Sequence, residues 1–302
     1  MPCPFCKEIV VVQTSYPCNL FNGKEFNYVK CANCKLVYLD YLPEADDYEK
    51  MYPPSYQGSV VETQILPDPY FKLPGLRFSY GYQFDLIKKY VKSNATILDY
   101  GCGTGHFLAN ANHHGFSCDG AEFNPDYIKL LSSSFEQSNF YSIENVLSDK
   151  FRRTYDVIRL SNVLEHLTNP KQVIEKLSKH LNPGGIFLVE GPIEENFCIA
   201  TAFRKLYFKL SALIRPNRTV SDPPYHIFLS NAQNQLDFFM RCGLQELAFN
   251  TAEDPWPFPS SLKNAKGIQG LLTATIAKIS MACTRIFGRK WGNIFIYCGK
   301  KK

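Results

Sequence analysis

The sequence of 302 residues lacks the features that would mark a secreted protein, an integral membrane protein or a strongly basic one. Met1 leads directly into Pro-Cys-Pro-Phe-Cys, so the charged and apolar regions of a secretory signal are missing. No uninterrupted apolar run approaches the ~20 residues that a membrane-spanning helix requires. The net charge of +5 is far from that of a dedicated nucleic-acid binder, although it leaves an anionic substrate or surface open. We therefore expect a cytoplasmic protein.

The composition and the order of apolar segments predict a globular α/β protein built from three regions. Hydrophobic residues make up 45% of the chain and charged residues 20%, a balance that allows a sizeable core. A cysteine-rich segment occupies residues 1–42, and a linker rich in tyrosine and proline follows at 43–78, where no period is visible. From 79 to 302, predicted strands alternate with helical patterns, with an insertion at about 196–224. The predicted strands lie at 96–100, 117–122, 139–143, 155–161, 186–190, 244–249 and 293–297. This alternation predicts a parallel sheet with helices on both faces.

The sharpest motif is a glycine-rich turn directly after the first of these strands. Glycines at every second position let the backbone turn sharply and approach a ligand with no Cβ in the way. Glu122 ends the next strand, where a carboxylate can accept hydrogen bonds from two ribose hydroxyls. Dinucleotide enzymes use a Gly-x-Gly-x-x-Gly spacing instead, and an ordinary tight turn is the alternative without a ligand. The turn itself comprises Asp99, Tyr100, Gly101, Cys102, Gly103, Thr104 and Gly105.

This arrangement resembles the first motif of class I S-adenosylmethionine-dependent methyltransferases. Residues 155–167 resemble the fourth strand and following turn of that family, and Asn-Pro-Gly-Gly at 182–185 resembles the turn into its fifth strand. The resemblance covers about residues 80–250 and implies a Rossmann-like, seven-stranded methyltransferase sheet. It implies that Glu122 binds the cofactor ribose and that Ser161 and Asn162 lie beneath the sulfonium. The residues that it places at the methionine end are Asp99, Gly101, Cys102, Gly103 and Gly105. For the adenine, Glu144 and Asn145 are only guesses.

The second strong motif is a pair of Cys-x-x-Cys knuckles near the N-terminus. Five of the eleven cysteines lie within the first 34 residues, and an odd number in a chain with no secretory signal argues for reduced thiols. Two knuckles separated by 24 residues bring four thiolates within tetrahedral reach, as in a closed structural zinc site. Zinc would also supply folding energy to a segment with few large aliphatic side chains. The predicted ligands are Cys3, Cys6, Cys31 and Cys34, with Cys18 left over. Coincidental or redox-active pairs are the alternative.

The two motifs together resemble a group of bacterial methyltransferases that carry an N-terminal zinc-binding module of the zinc-ribbon type. That group includes sugar C-methyltransferases acting on nucleotide-linked deoxysugars, and the segment 48–56 is similar to its tyrosine-rich stretch near the cofactor. The resemblance implies methyl transfer to a small-molecule acceptor, either a sugar, a glycan precursor or a secondary metabolite. The acceptor atom and the oligomeric state stay open.

Two other functions are alternatives to small-molecule methylation. An RNA methyltransferase could use the zinc module to grip its substrate. However, the lysines of that module are offset by acidic residues, and the fourth strand lacks an Asn/Asp-Pro-Pro-Tyr tetrad. A non-catalytic cofactor-binding scaffold is the third hypothesis. The intact glycine turn and Glu122 argue against it.

Two histidines are the candidate catalytic residues, because removal of a proton from a hydroxyl or an enolisable carbon needs a base. A histidine titrating near neutrality suits that task. His166 follows the fourth strand, and His226 precedes the helix before the sixth strand. In the alternative interpretation, either ring merely caps a helix or fills a polar pocket. Whether Glu165 faces the pocket or solvent is open.

Two amphipathic segments raise the question of membrane contact. Basic and aromatic residues alternate at 203–218, a pattern typical of a helix on a membrane or a lipid-linked glycan, or of a lid packed on its own domain. A second apolar helix is predicted at 268–286. Lys278 and Arg285 interrupt it, so we do not expect it to span a bilayer.

Overall fold

The computed structural model describes residues 1–53, 78–215, 218–254 and 267–302. Within those ranges the strands are β1 Val11–Gln13, β2 Cys18–Phe21, β3 Lys24–Phe26, β4 Tyr28–Cys31, β5 Val37–Leu39, β6 Thr96–Tyr100, β7 Ser117–Glu122, β8 Phe140–Ser142, β9 Tyr155–Ser161, β10 Leu181–Pro192, β11 Thr219–Val220, β12 Phe228–Leu229, β13 Leu244–Ala252 and β14 Ile294–Lys301. The α-helices are α1 Ala45–Met51, α2 Tyr80–Lys88, α3 His106–His113, α4 Pro125–Ser134, α5 Ile143–Val146, α6 Pro170–Leu177, α7 Ile199–Ile214, α8 Ala232–Arg241 and α9 Gly267–Phe287.

A seven-stranded sheet forms the centre of the molecule, in the order β13-β14-β10-β9-β6-β7-β8. β6 to β10 pair in parallel, and β14 runs antiparallel between β10 and β13. The strand order reverses between β6 and β9, and a ligand in an open α/β sheet binds at such a point, outside the carboxyl ends of the strands. The predicted α/β class and seven strands are confirmed, and the antiparallel β14 makes the sheet mixed rather than fully parallel.

Both faces of this sheet are covered, as the near-continuous apolar runs of its strands require. On one face, Phe84 of α2 and Leu108 of α3 pack with Ile97 of β6. On the other face, Ile174 of α6 packs with Leu98 and neighbouring strand residues. Alternate residues of one strand therefore enter different cores, which is the period-two pattern expected of a buried strand.

Three local expectations were wrong in detail. The linker was expected to be irregular, but residues 45–51 form α1, whose N-cap Glu44 makes a reciprocal capping box with Asp47. Residues 54–77 of the linker, including Tyr56, lie outside the described residues. The spacing of Val173, Ile174, Leu177 and Leu181 predicts a helix that includes Leu181, but α6 ends earlier and Leu181 begins β10. Ser230 with Gln233 resembles a capping box, but the N-cap of α8 is Asn231, paired with Asn234.

The N-terminal strands form two small sheets that are completed by later parts of the chain. One sheet has the order β1-β4-β5-β12, and the other has the order β11-β2-β3. Phe228 of β12 pairs with Tyr38 of β5. Phe5 stacks on Phe238 of α8, with 4.3 Å between ring centroids. The predicted boundary at residue 42 is therefore crossed by both strand pairing and core packing.

One helix, Gly267–Lys290, is long and apolar enough to cross a membrane by length and composition alone. Only 17% of its most apolar window is buried within the protein. A core helix would be mostly buried, so this helix does not belong to the interior of the domain.

Candidate active site

The glycine-rich turn between β6 and α3 has the strained backbone that the sequence predicted. Gly101, Gly103 and Gly105 adopt φ values of 79°, 52° and 80°, in the left-handed region that side chains disfavour. A Cβ on Gly101 would lie 2.4 Å from the side chain of Val163. The amide groups of Gly101 and Cys102 donate to the carbonyl of Ala121, which ties the turn to the end of β7. The turn is thus held open and rigid at the carboxyl ends of the strands.

Glu122 at the end of β7 is buried and holds the same turn. Its carboxylate accepts hydrogen bonds from the amides of Gly103 at 2.8 Å, Phe123 at 2.9 Å and Asn124 at 3.2 Å. Burial raises the pKa of Glu122, and these amides oppose that shift. A carboxylate has about four acceptor positions, so one is left on Oε2 for a ribose hydroxyl. Glu122 therefore has an acceptor position for the ribose binding predicted for it, and it also stabilises the glycine-rich turn.

Asp99 makes an ion pair that the sequence analysis missed. Its Oδ1 lies 2.6 Å from Nη1 of Arg159 on β9, and both side chains are buried. The second oxygen, Oδ2, is buried without a hydrogen-bond partner among the described residues. Burial raises the pKa of Asp99, and Arg159 opposes that shift. An unpartnered buried carboxylate oxygen beside this turn fits a cationic ligand group such as an ammonium.

Arg159 belongs to a buried polar network that joins four elements beneath the turn. Its Nε donates to Gln83 of α2 at 2.8 Å, and its guanidinium lies 4.0 Å from the ring centroid of Phe107. Gln83 in turn donates to Glu190 of β10 at 2.9 Å, and Ser161 Oγ donates to the same carboxylate at 3.3 Å. One signal was available in the sequence. An arginine flanked by the apolar residues Ile158 and Leu160 in a buried strand needs a buried partner.

Ser161 ends β9 and Asn162 follows it, so both lie at the carboxyl end of the strand. Asn162 has a φ of 52°, and its amide donates to the carbonyl of Glu190 at 2.9 Å. The two guesses for the adenine, Glu144 and Asn145, lie in α5 directly after β8, near the same edge of the sheet.

The structure brings the two candidate histidines together. His166 ends a short 3₁₀ turn after β9, and its ring centroid is 5.0 Å from that of His226. Its Nδ1 lies 2.8 Å from the carbonyl of Tyr225 and 2.9 Å from the hydroxyl of Tyr52. The hydroxyl of Tyr48 donates to its carbonyl. Burial lowers the pKa of His166 to about 3, so this imidazole is neutral at physiological pH.

His226 is held by a carboxylate that the sequence analysis did not single out. Its Nδ1 lies 2.9 Å from Oε2 of Glu194, which follows β10. Burial favours the neutral ring, but Glu194 and Glu165 raise the pKa of His226 to about 9. Burial raises the pKa of Glu165 to about 7, and Glu165 lies in the interior with Oε1 3.7 Å from His166. Glu165 therefore belongs to the cluster and does not face solvent.

Glu165, His166 and His226 each place one donor atom within 4.8 Å of the others, a separation that would also suit a metal ion. We interpret the three residues, together with Glu194, as an acid–base cluster, because the carboxylate of Glu194 holds Nδ1 of His226 at 2.9 Å.

The four N-terminal cysteines converge as predicted. The Sγ atoms of Cys3 and Cys34 are 3.5 Å apart, and those of Cys6 and Cys31 are also 3.5 Å apart. Tetrahedral zinc with Zn–S bonds near 2.3 Å would require about 3.8 Å between sulfurs, so a small adjustment accommodates the ion. The two knuckles have the same backbone. The amide that follows each knuckle donates to the carbonyl of its first cysteine, from Lys7 to Cys3 and from Lys35 to Cys31.

Comparison with known proteins agrees with this geometry. The Methyltransf_23 family model, described as a methyltransferase domain, matches residues 77–219. A ubiquinone biosynthesis O-methyltransferase from Rickettsia typhi is 32% identical over 107 residues, which cover 32% of this chain and 41% of that protein. EEF1A lysine methyltransferase 2 from Mus musculus is 31% identical over 119 residues, covering 34% of this chain and 48% of that protein. The chain thus spans less than half the length of these relatives.

A solved structure described as the [4+2]-cyclase SpnF gives a TM-score of 0.53 at 14% identity, covering 86% of this chain and 97% of that one. This likeness shows a shared fold alone. The family match covers the glycine turn, Glu122 and the end of β9. The chain therefore contains a segment, residues 77–219, that matches a methyltransferase domain.

Proposed function

We propose that this protein methylates a hydroxyl or an enolisable carbon of a small-molecule acceptor, with His226 as the general base. The acceptor class that the sequence suggests is a sugar, a glycan precursor or a related secondary metabolite. The observation that carries the proposal is the hydrogen bond between Glu194 and Nδ1 of His226 at 2.9 Å, at the same end of the sheet as the glycine turn. O-methyltransferases among the relatives support a hydroxyl acceptor.

The residues around the turn have complementary binding roles. S-adenosylmethionine supplies an electrophilic methyl group on a sulfonium. Oδ2 of Asp99 would accept from its ammonium, and the free acceptor position of Glu122 would accept from a ribose hydroxyl. Ser161 and Asn162 would border the sulfonium from the end of β9. Fixed positions for these groups lower the barrier by orienting methyl donor and acceptor.

The histidine cluster would handle the acceptor's proton. Because Nδ1 of His226 is engaged by Glu194, Nε2 is the nitrogen left to accept that proton. Nε2 of His226 would take the proton that the acceptor atom loses as it is methylated. The neutral ring of His166, fixed by Tyr52 and the carbonyl of Tyr225, would position the acceptor beside His226.

We further propose that Cys3, Cys6, Cys31 and Cys34 bind one structural zinc ion. Support comes from the convergence of four thiols and from the matched backbones of the two knuckles. All eleven cysteines are unbridged, which fits the reducing, cytoplasmic location proposed for this chain. The ion would stabilise strands that contact the catalytic region, since the hydroxyl of Tyr28 on β4 donates to the carbonyl of His226 at 2.7 Å.

Product analysis tests the proposed reaction. The protein is incubated with S-adenosylmethionine and with nucleotide sugars, glycans, phenolic hydroxyl compounds, lysine-containing protein and RNA, and products are identified by mass spectrometry. We expect a mass gain of one methyl group on a small-molecule acceptor only. Methylation of RNA or protein alone would contradict the proposal, as would undetectable cofactor binding by calorimetry.

A further inference from the structure

The helices α7 and α9 expose large apolar side chains that nothing else in the described chain covers. Leu213 and Ile214 at the end of α7 are 81% and 79% exposed, and Ile268 at the start of α9 is 81% exposed. Other exposed apolar residues on these helices are Leu206, Tyr207, Leu210, Leu271, Leu272, Ile276, Ile279, Ile286 and Phe287. Soluble proteins rarely leave a contiguous apolar surface of this kind to water, and one that occurs marks an interaction site.

The opposite face of α9 packs on the domain. Ala274, Ala277 and Ser280 are buried at helical spacing, and Ser280 Oγ donates to Glu253 at 2.7 Å. The amide of Ile199 at the start of α7 donates to the same hydroxyl at 3.2 Å, which joins the two helices. α9 is therefore anchored along one side by small residues, and its larger side chains point away. This arrangement suits a helix lying in the plane of an interface rather than one crossing it.

The charged residues that α7 and α9 themselves carry are all basic. Neither α7 nor α9 contains an aspartate or a glutamate. The last 48 residues carry nine lysines and arginines and no acidic residue, which leaves the rest of the chain at −4 against the overall +5. Lys209, Arg215, Lys278, Arg285 and Lys290 are all exposed on or beside the two helices. The basic residues of this surface are complementary to anionic lipid headgroups, and its apolar residues are complementary to the acyl chains beneath them.

The apolar surface adjoins the acid–base cluster. Arg204 on α7 lies 3.5 Å from the carboxylate of Glu194 and donates to its carbonyl, and Glu194 holds His226. Lys205 pairs with Glu195 at 3.2 Å. The first turns of α7 are thus attached to the catalytic region, while its last turn carries the most exposed apolar residues.

We propose that the exposed faces of α7 and α9 dock on a bilayer that contains anionic phospholipid, and that the acceptor is an amphiphile taken from that bilayer. The docking surface comprises Leu206, Leu210, Leu213, Ile214 and the exposed apolar residues of α9. Uptake of the acceptor from the bilayer rests on the proposed methyl transfer. Docking on the bilayer does not depend on methyl transfer, because it concerns lipid binding alone.

Sedimentation with lipid vesicles tests the docking. The full chain is mixed with vesicles of phosphatidylcholine, either alone or with phosphatidylglycerol added. We expect binding to the anionic vesicles that weakens as salt is raised. Replacing Leu213 and Ile214 by serine should weaken the partition by at least about tenfold, because each lost apolar side chain is worth roughly a factor of ten. Met240→Ser on α8 is the matched control, since Met240 is also 56% exposed, and it should bind as the parent protein does.

Three outcomes would overturn the docking proposal. One is no binding of the parent protein to either type of vesicle. Another is equal binding by the Leu213/Ile214 variant with its fold intact by circular dichroism. The third is a dimer by analytical ultracentrifugation that this variant abolishes, because the face would then be an interface between two copies. A failure of methyl transfer with vesicle binding preserved would count against the proposed function and leave the docking standing.

Discussion

At the scale of single residues, the candidate site depends on charges held out of water by partners from distant parts of the chain. Glu194 and His226 are separated by 32 residues, and Asp99 and Arg159 by 60. Each pair is buried or half-buried, so each carboxylate changes the properties of its partner more than it would at a solvated surface. Removing one member of a pair leaves the charge of the other without its partner. The sign of that remaining charge decides how neighbouring pKa values and the stability of the folded state change.

The first residue-scale prediction concerns pH. His226 must be unprotonated to act as a base, and its pKa is raised to about 9, so we expect kcat/KM to rise with pH up to that value. In Glu194→Gln the nearby anion is gone and the pKa of His226 falls. The rising limb of the profile should then move to lower pH, with a lower maximum because the ring is less well oriented. Steady-state kinetics across pH measures both changes.

The matched control for this prediction is Glu195→Gln. Glu195 is the neighbouring residue, but its carboxylate pairs with Lys205 and accepts from Tyr16 rather than from a histidine. Its pH profile should match that of the parent protein. If Glu194→Gln and the parent share one profile, His226 is not the base.

The second residue-scale prediction concerns the buried ion pair. Arg159→Leu leaves the Asp99 carboxylate buried and uncompensated, and we expect the free energy of unfolding to fall by about 3–5 kcal/mol. Adding Asp99→Asn removes that charge and should recover part of the loss. Urea denaturation measures the stability, and calorimetry measures cofactor affinity, which the double variant should not regain if Asp99 binds the ammonium. A double variant less stable than Arg159→Leu would refute this account.

At the scale of elements, the N-terminal strands position the segment that carries His226. The amide of Leu39, at the end of β5, donates to the carbonyl of Ile227 at 3.0 Å, and β12 begins one residue later. Tyr28 on β4 holds the carbonyl of His226 itself. The cysteine knuckles flank these strands. A structural metal there would act on catalysis through the backbone of residues 226–229.

This coupling predicts the effect of losing a ligand. Cys31→Ser should lose the zinc, measured as about one ion per chain in the parent protein, and should also lose most methyl transfer. Cys18→Ser is the control, because Cys18 lies outside the four-cysteine cluster, and it should keep both. Tyr28→Phe should keep the zinc but lower kcat. Unchanged zinc content in Cys31→Ser would refute the four-cysteine assignment.

At the scale of the whole molecule, the N-terminal segment and the methyltransferase domain share one hydrophobic core. Cys3, Phe5 and Leu36 belong to the same buried cluster as Leu98 of β6 and Phe238 of α8. Contacts this extensive make independent unfolding of the N-terminal segment costly, because it would expose both surfaces to water.

We therefore predict a single cooperative thermal transition for the metal-bound protein. A strong chelator should lower the midpoint of that one transition, because zinc bound only to the folded state stabilises all of it. Differential scanning calorimetry distinguishes this result from a separate low-temperature peak for residues 1–42. Such a separate peak would show that the shared core contributes little to the stability of residues 1–42.

The sequence predicted the central sheet well and the partnerships within the site poorly. The strands at 96–100, 117–122 and 155–161 agree residue for residue. Glu122 and the two histidines were found because motifs mark them. Glu194 and Tyr52 were missed because their importance arises only from contacts across the folded chain. β12 was missed because a two-residue strand has no measurable period.

The sheet β1-β4-β5-β12 also has a consequence for the order of events during synthesis. Strands near the beginning of the chain must wait for Phe228 and Leu229 before their sheet is complete, and contacts at such sequence separation form slowly. Until then, β5 presents an unpaired edge that could template association with another nascent chain. A metal ion captured early by the two knuckles would hold these strands in register while the ribosome finishes the remaining domain.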